Sequence, residues 1–129
     1  MKKNFIIIGL IFILPMVAYA LLSDSKSVSA AKHVEGKPQV IKFSSKLCID
    51  CKKMKTVFEQ AIPEYYSKIE FIEYDVQSND KKVQEEINNY NITLVPTVIY
   101  INNAGKEVRR TEGYVEKKKF DKYLNELLR

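Results

Sequence analysis

The sequence predicts an α/β domain with a central mixed β-sheet and helices on both faces. The hydrophobic period switches repeatedly between two and about 3.6 residues, in the order βαβαββα. The chain has 129 residues, of which 46% are hydrophobic, so it can bury one core and is too short for tandem domains. We therefore expect one folded domain over residues 37–129.

The domain begins with a strand and a helix. Residues 38–44 (PQVIKFS) are a short β-rich run. Apolar residues then recur at helical spacing up to Pro63, and a proline at that place predicts the end of the helix. These residues are Cys51, Met54, Val57, Phe58, Ala61 and Ile62.

A second strand and a second helix follow. Residues 69–76 (IEFIEYDV) are β-branched and aromatic, which is typical of a strand. Residues 80–90 carry their apolar side chains on one helix face, and these are Val83, Ile87 and Tyr90.

A hairpin and a helix complete the domain. Residues 96–101 predict a strand, residues 102–105 (NNAG) a turn, and residues 106–111 the returning strand. The last segment has the stripe of an amphipathic helix packed on the sheet. We expect parallel strands joined by helical crossovers and closed by an antiparallel hairpin. The stripe consists of Phe120, Tyr123, Leu124, Leu127 and Leu128.

The N-terminal segment, residues 1–22, predicts contact with a membrane. Residues 5–22 carry no charge and follow Lys2 and Lys3, a pattern that fits either a cleaved signal peptide or a retained membrane anchor. Both predict an exported protein, in a periplasmic or other extracytoplasmic location. Residues 23–36 are rich in serine and predict a linker.

The net charge of +5 does not indicate a nucleic-acid-binding protein. Two of the charges are Lys2 and Lys3, and the basic run at residues 117–119 lies beside Glu116 and Asp121 in a helical pattern. The sequence has neither a nucleic-acid-binding motif nor a one-sided basic face. We expect no nucleic-acid partner.

Cys48 and Cys51 are the only cysteines, and they lie between the first strand and the first helix with the spacing C-x-x-C. Free N–H groups at a helix start stabilise a thiolate, which predicts Cys48 as the nucleophile. Cys51 lies one turn further on the core face and is the predicted resolving thiol. Residues at this spacing are close enough for a reversible disulfide. We interpret the pair as a redox site that needs no cofactor.

Other uses of the pair remain open. A static disulfide across so short a loop would stabilise the fold little. Structural zinc needs about four ligands, and the chain offers the two cysteines and His33, so we expect no metal site. Two soft thiolates can bind Cu(I), which leaves a Cu(I) carrier as an alternative function.

Three motifs carry a family resemblance: C-I-D-C at a strand-to-helix junction, V-P-T at residues 95–97, and Gly113 after the last strand. Residues 42–113 thereby resemble the thioredoxin superfamily, especially its exported or membrane-tethered thiol:disulfide interchange members. The resemblance implies a thioredoxin-like fold and an oxidoreductase acting on protein or peptide disulfides. If the enzyme acts as a reductant, it must be re-reduced, so we expect a membrane or extracytoplasmic electron donor. A redox-inactive peptide-binding module is an alternative, and we expect a monomer.

The resemblance also implies a substrate-binding surface. In this family the proline is cis and faces the dithiol, so Pro96 would leave Val95 to pair with an extended substrate strand. Ile49 and Asp50, between the cysteines, complete the predicted surface. Strong oxidants of the superfamily typically carry His between the cysteines, which stabilises the thiolate. Ile49 and Asp50 do not stabilise the thiolate in this way, which favours a reductant.

Two charged positions depart from the family pattern. Lys42, six residues before Cys48, stands where the family usually has a buried Asp that helps to move the proton of the resolving thiol. Glu73 stands where a family Lys would lie. We therefore expect a charge-reversed pair in which Glu73 accepts the proton of Cys51. In the alternative, both side chains reach solvent, since a lysine can snorkel.

Overall fold

The computed structural model describes residues 36–129, which form a four-stranded sheet and three helices. The predicted order βαβαββα is confirmed. The strands are β1 (Gln39–Ser44), β2 (Glu70–Asp75), β3 (Thr97–Ile101) and β4 (Glu107–Glu112). The helices are α1 (Ile49–Tyr65), α2 (Lys81–Asn89) and α3 (Lys117–Leu127).

The sheet is mixed, with the strand order β2-β1-β3-β4. β1 and β2 run parallel, whereas β3 runs antiparallel to its neighbours β1 and β4. The expectation of parallel strands is therefore wrong for β3. After α2 the chain returns to the edge of the sheet where β1 ends, so Thr97 at the start of β3 pairs with Phe43 near the end of β1. This orientation brings the segment after β1 and the segment before β3 to the same edge.

Helices cover both faces of the sheet, as predicted. α1 and α3 pack together on one face, where the Phe58 and Phe120 ring centroids lie 5.1 Å apart. α2 covers the other face through Val83 and Ile87. Successive residues of a strand point to opposite faces, and this alternation divides β1 and β3 between the two cores.

The prediction that the first helix ends at Pro63 is wrong. α1 continues to Tyr65, and the N–H of Tyr66 donates to the carbonyl of Ile62 at 2.8 Å. Pro63 lies in the last turn and is exposed, so the one hydrogen bond that it removes can be replaced by water. The helical φ of proline then lets the last turn form.

The predicted signal peptide or anchor, residues 1–22, lies outside the described residues, as does most of the predicted linker. Within residues 36–129, none of the helices has the length and apolar character needed to cross a membrane.

Candidate active site

Cys48 and Cys51 lie at the N-terminus of α1, at the edge of the sheet where β1 ends. Cys48 is the N-cap residue, with extended backbone angles (φ −90°, ψ 125°), and its Sγ accepts a hydrogen bond from the N–H of Cys51 at 3.1 Å. The N–H of Cys48 donates to the carbonyl of Ser45 at 3.4 Å, which holds the turn between strand and helix. The Cys48 sulfur therefore lies where the first N–H groups and the dipole of α1 favour negative charge.

Cys51 lies in a different environment, although it is only one turn away. Its side chain is 3% exposed, on the buried face of α1 with Met54 and Phe58. Burial, together with the hydrogen bond to Cys48, raises the pKa of Cys51 from 9.0 to about 11, and the charge of Lys42 opposes this rise. Both cysteines are free thiols. The site thus has one partly exposed thiol and one buried thiol that keeps its proton at neutral pH.

The segment before β3 contacts Cys48. The Val95–Pro96 peptide bond is cis, and the Cys48 thiol donates to the Val95 carbonyl at 3.6 Å. The Pro96 carbonyl in turn accepts from the N–H of Gly113 at 2.8 Å. Gly113 has a φ of +85°, in the left-handed region that favours glycine. The segment before β3 therefore lies against the Cys48 sulfur, and Gly113 in turn is hydrogen-bonded to that segment.

Lys42 and Glu73 form an ion pair behind the cysteines. They lie opposite each other on β1 and β2, with Lys42 Nζ 3.0 Å from Glu73 Oε1. Lys42 is 1% exposed, and its Nζ lies 4.5 Å from the ring centroid of Phe58, whereas the Glu73 side chain is 45% exposed. The alternative that both side chains reach solvent is therefore wrong for Lys42. Its side chain points to the face that α1 covers, where a buried ammonium needs a counter-ion.

A cavity of about 410 Å³ lies between α1 and the ends of β1 and β2. Lys42, Cys51 and Glu73 all line it, so the buried thiol and the ion pair share one space. The cavity wall also includes three further lysines and one further carboxylate, which gives it an excess of positive charge. These residues are Lys46, Lys52, Lys55 and Asp75.

Four exposed apolar side chains belong to the segments that form the site or adjoin it in the chain. Leu47 and Ile49, which flank Cys48, are 82% and 73% exposed. Two more adjoin the other site segments: Leu94, which precedes Val95, and Tyr114. Exposed apolar side chains that are grouped in this way are typical of an interaction surface.

Three of these residues are not predicted as site residues from the sequence: Leu47, which precedes Cys48, Leu94 and Tyr114. Each is adjacent to a position that the sequence does single out, since Leu94 precedes Val95 and Tyr114 follows Gly113. Their places in the chain could have indicated them, but their exposure depends on loops whose conformation no local pattern predicts.

The predicted site residues lie together at one edge of the sheet. Asp50 is in the first turn of α1 and pairs with Lys53 at 3.3 Å, on the exposed side of the helix. The roles expected of these residues in catalysis and substrate binding stay predictions. Among residues 36–129, no group of three or more His, Cys, Asp or Glu side chains is arranged to hold a metal ion.

Residues 26–128 match the family model of the thioredoxin-like domain. The chain belongs to the thioredoxin-like domain family. Two curated relatives support this membership. The thiol:disulfide interchange protein DsbD of Actinobacillus pleuropneumoniae is 25% identical over an alignment of 97 residues that covers 72% of this chain and 17% of DsbD. The putative thioredoxin H10 of Arabidopsis thaliana is 31% identical over 90 residues, which are 70% of this chain and 53% of that protein.

This thioredoxin-like chain thus spans about a sixth of the length of DsbD and about half of thioredoxin H10. Among solved structures, thioredoxin of Fasciola hepatica has a TM-score of 0.61 and 27% identity, over 72% of this chain and 83% of its own. Oxidised thioredoxin O2 of Arabidopsis thaliana has a TM-score of 0.62 and 18% identity, over 73% and 77%, and supports the fold alone. The predicted fold class and superfamily are confirmed.

Proposed function

We propose that the chain is an extracytoplasmic thiol–disulfide oxidoreductase that reduces protein disulfides through Cys48 and Cys51. One observation carries the proposal. The Cys48 sulfur lies at the start of α1, 3.6 Å from the Val95 carbonyl, while Cys51 is buried one turn behind it. A partly exposed sulfur beside a backbone carbonyl is well placed to meet a disulfide in an extended peptide.

The reaction begins at Cys48. Its thiolate attacks one sulfur of the substrate disulfide, so a mixed disulfide forms and the other substrate sulfur leaves as a thiolate that takes up a proton. The N-terminal N–H groups of α1 stabilise the attacking thiolate. The step uses no cofactor.

Cys51 completes the reaction. It loses its proton and attacks the sulfur of Cys48, so the Cys48–Cys51 disulfide forms and the substrate leaves with its second sulfur as a thiol. Two electrons have then passed from the protein to the substrate. Because burial raises the pKa of Cys51 to about 11, a base that takes this proton accelerates the step.

We assign Glu73 as this base and Lys42 as the residue that positions it. Glu73 lines the same cavity as Cys51, and Lys42 holds its carboxylate at 3.0 Å. The half-exposed carboxylate can pass a proton on to solvent. In this chain the base is supplied by β2, whereas the family usually carries its buried Asp on β1.

The substrate is a protein or peptide disulfide. The backbone at Val95 and Pro96 pairs with an extended strand of the substrate. Ile49 and Asp50 form the part of the binding surface that lies on α1. The exposed apolar side chains of these segments favour a polypeptide over a small polar disulfide. We add to this surface Leu47, Leu94 and Tyr114.

The direction of the reaction is reduction of the substrate. Ile49 and Asp50, between the cysteines, carry no positive charge that would stabilise the thiolate on which strong oxidants depend. A reductant must be re-reduced, so we propose a membrane or extracytoplasmic electron donor. Two features support an extracytoplasmic location for the chain: the uncharged run at residues 5–22 and the similarity to a thiol:disulfide interchange protein. The chain acts as a monomer.

Reduction of insulin by the full chain, with dithiothreitol as the electron source, tests the proposal. We expect the wild type to accelerate precipitation of the insulin chains and Cys48→Ser to give only the uncatalysed rate. Without dithiothreitol, reduced Cys51→Ser should trap insulin as a mixed disulfide that later addition of dithiothreitol releases. If the wild type is no faster than Cys48→Ser, the proposed oxidoreductase function is wrong. Tight binding of Cu(I) by the reduced wild type would then favour the Cu(I) carrier.

A further inference from the structure

The positive charge of the described domain is concentrated around the dithiol. Residues 43–58, from the end of β1 to the middle of α1, contain four lysines and one aspartate. The other described residues contain equal numbers of basic and acidic side chains. The net positive charge of residues 36–129 therefore comes from the segment that carries Cys48 and Cys51.

Three of these lysines form a basic patch, which we define as Lys46, Lys52 and Lys55. All three side chains are exposed, and all three line the cavity behind the buried thiol. Lys42 in the same wall is buried and pairs with Glu73 at 3.0 Å, so that pair adds no net charge to the patch. The basic patch therefore lies beside the dithiol, on the side of α1 where β1 and β2 end.

The other carboxylates near the basic patch leave it positive. Asp75 lies 3.7 Å from Lys46, and Glu59 lies 3.6 Å from Lys55. In the part of the chain that the structure describes, Lys52 forms no ion pair. Exposed ion pairs at such distances contribute little to stability, so the carboxylates of a partner can replace them at small cost.

Two exposed apolar side chains adjoin the basic patch. Leu47 follows Lys46 in the chain and is 82% exposed, and Ile49 lies between the two cysteines and is 73% exposed. Exposed apolar surface that is bordered by charge of one sign favours a partner with apolar groups and the opposite charge.

The opposite side of the site lacks this positive charge. Residues 91–96 are uncharged, and residues 112–116 contain two glutamates and no basic residue. Lys53, whose Nζ lies 5.7 Å from the ring centroid of Tyr114, pairs with Asp50 at 3.3 Å. The α1 side of the site is therefore its basic side.

We infer that the α1 side of the site docks acidic polypeptide segments, so that the preferred substrate carries Asp or Glu beside its disulfide. The carboxylates of that segment pair with the basic patch, and its apolar side chains contact Leu47 and Ile49. Because the lysines are exposed, the attraction acts mainly on the rate of association. The inference rests on the proposed function and names the class of substrate that the same site prefers.

Three peptides with one intramolecular disulfide test this preference. They share one sequence, except that the four residues flanking the cysteines are all Glu, all Gln or all Lys. The reduced full chain passes two electrons to each peptide, so the peptide gains two thiols and the chain gains the Cys48–Cys51 disulfide. Acid quenching followed by chromatography measures the rate. Each rate is divided by the rate at which uncharged dithiothreitol reduces the same peptide, because flanking charges also alter the reactivity of the disulfide.

The normalised rate should depend on the charge of the peptide. We expect the Glu peptide to exceed the Lys peptide at least about tenfold at low ionic strength, with the Gln peptide between them. Sodium chloride should reduce this difference, because salt screens exposed charges.

Pairs of substitutions localise the effect. Lys46→Glu with Lys52→Glu should reverse the order of the three peptides, and Lys46→Gln with Lys52→Gln should remove most of the preference without reversing it. Lys68→Glu with Lys106→Glu changes the net charge as much as the first pair does. These two lysines are exposed and lie at the other edge of the sheet, where β2 begins and β3 ends, so the wild-type order should remain.

The inference is overturned if the three normalised rates are equal in the wild type, or if the glutamate pairs at the two edges shift them alike. If the rates are equal and the basic patch instead retains the chain on vesicles of anionic phospholipid, the patch binds lipid and the inference is wrong. Failure of the proposed function has a different outcome, because the reduced wild type would then reduce none of the peptides faster than Cys48→Ser does. A wild type that reduces all three equally rejects the inference alone.

Discussion

The reversed ion pair shows what a single residue can and cannot indicate in the sequence. The positions of Lys42 and Glu73 on neighbouring strands predict the pairing. They do not predict that the ammonium is buried while the carboxylate is 45% exposed. That difference arises from α1, whose Phe58 ring covers Lys42 and leaves the β2 side open to the cavity. Burial depends on distant packing, which the strand pattern does not contain.

The buried thiol predicts a pH dependence of stability. The pKa of Cys51 is raised from 9.0 in the unfolded chain to about 11 in the fold, so folding favours the protonated thiol. This contribution is complete below pH 9 and is lost as the pH rises towards 11, by up to about 3 kcal/mol. Urea unfolding of the reduced protein should therefore show a steeper loss of stability over this range than Cys51→Ala. Equal slopes for the two proteins would contradict the burial effect.

At the scale of the element, α1 depends on Cys48 for its N-cap. The sequence indicates a helix after the C-x-x-C motif, and its apolar spacing correctly predicts the buried face. It does not indicate that the helix runs past Pro63, because the effect of a proline depends on how close it lies to the helix end. The same sulfur that we propose as the nucleophile accepts the hydrogen bond from the N–H of Cys51.

Replacing Cys48 therefore changes helix capping as well as chemistry. Serine is a favoured N-cap, whereas alanine provides no acceptor, so Cys48→Ala should unfold with a free energy about 1 kcal/mol lower than Cys48→Ser. Equilibrium urea unfolding measures the difference. Asp80→Ala is a suitable reference, because Asp80 caps α2 by accepting from the N–H of Lys82 at 2.8 Å. Equal stabilities of the two Cys48 variants would contradict the capping role.

At the scale of the whole molecule, the orientation of β3 creates the site. A parallel β3 would begin at the opposite edge of the sheet and carry Val95 and Pro96 away from Cys48. Hydrophobic periodicity predicts strands and their faces but not their direction, since both directions bury the same side chains. The family resemblance, through the V-P-T motif, supplied the proximity of proline and dithiol that periodicity could not.

A substitution in α3 tests whether the reaction of Cys48 depends on the packing of the core. Phe120 is fully buried and contacts Phe58 and Tyr100, with ring centroids 5.1 and 6.1 Å apart. Phe120→Ala should lower the free energy of unfolding by about 3–5 kcal/mol. The folded fraction should still react at Cys48 with the wild-type rate, because Phe120 lies on α3, away from the sheet edge. A slower Cys48 reaction in fully folded protein would contradict this separation.

The proposed function requires that Cys48 and Cys51 form one reversible two-electron couple. Equilibration of the full chain with glutathione buffers, followed by alkylation and mass spectrometry, tests it most directly. We predict that both thiols disappear together in a single transition, that the oxidised chain carries neither alkyl group nor glutathione, and that Cys48→Ser shows no such transition. Chains that keep one free thiol and carry glutathione on the other across the whole range would contradict the account.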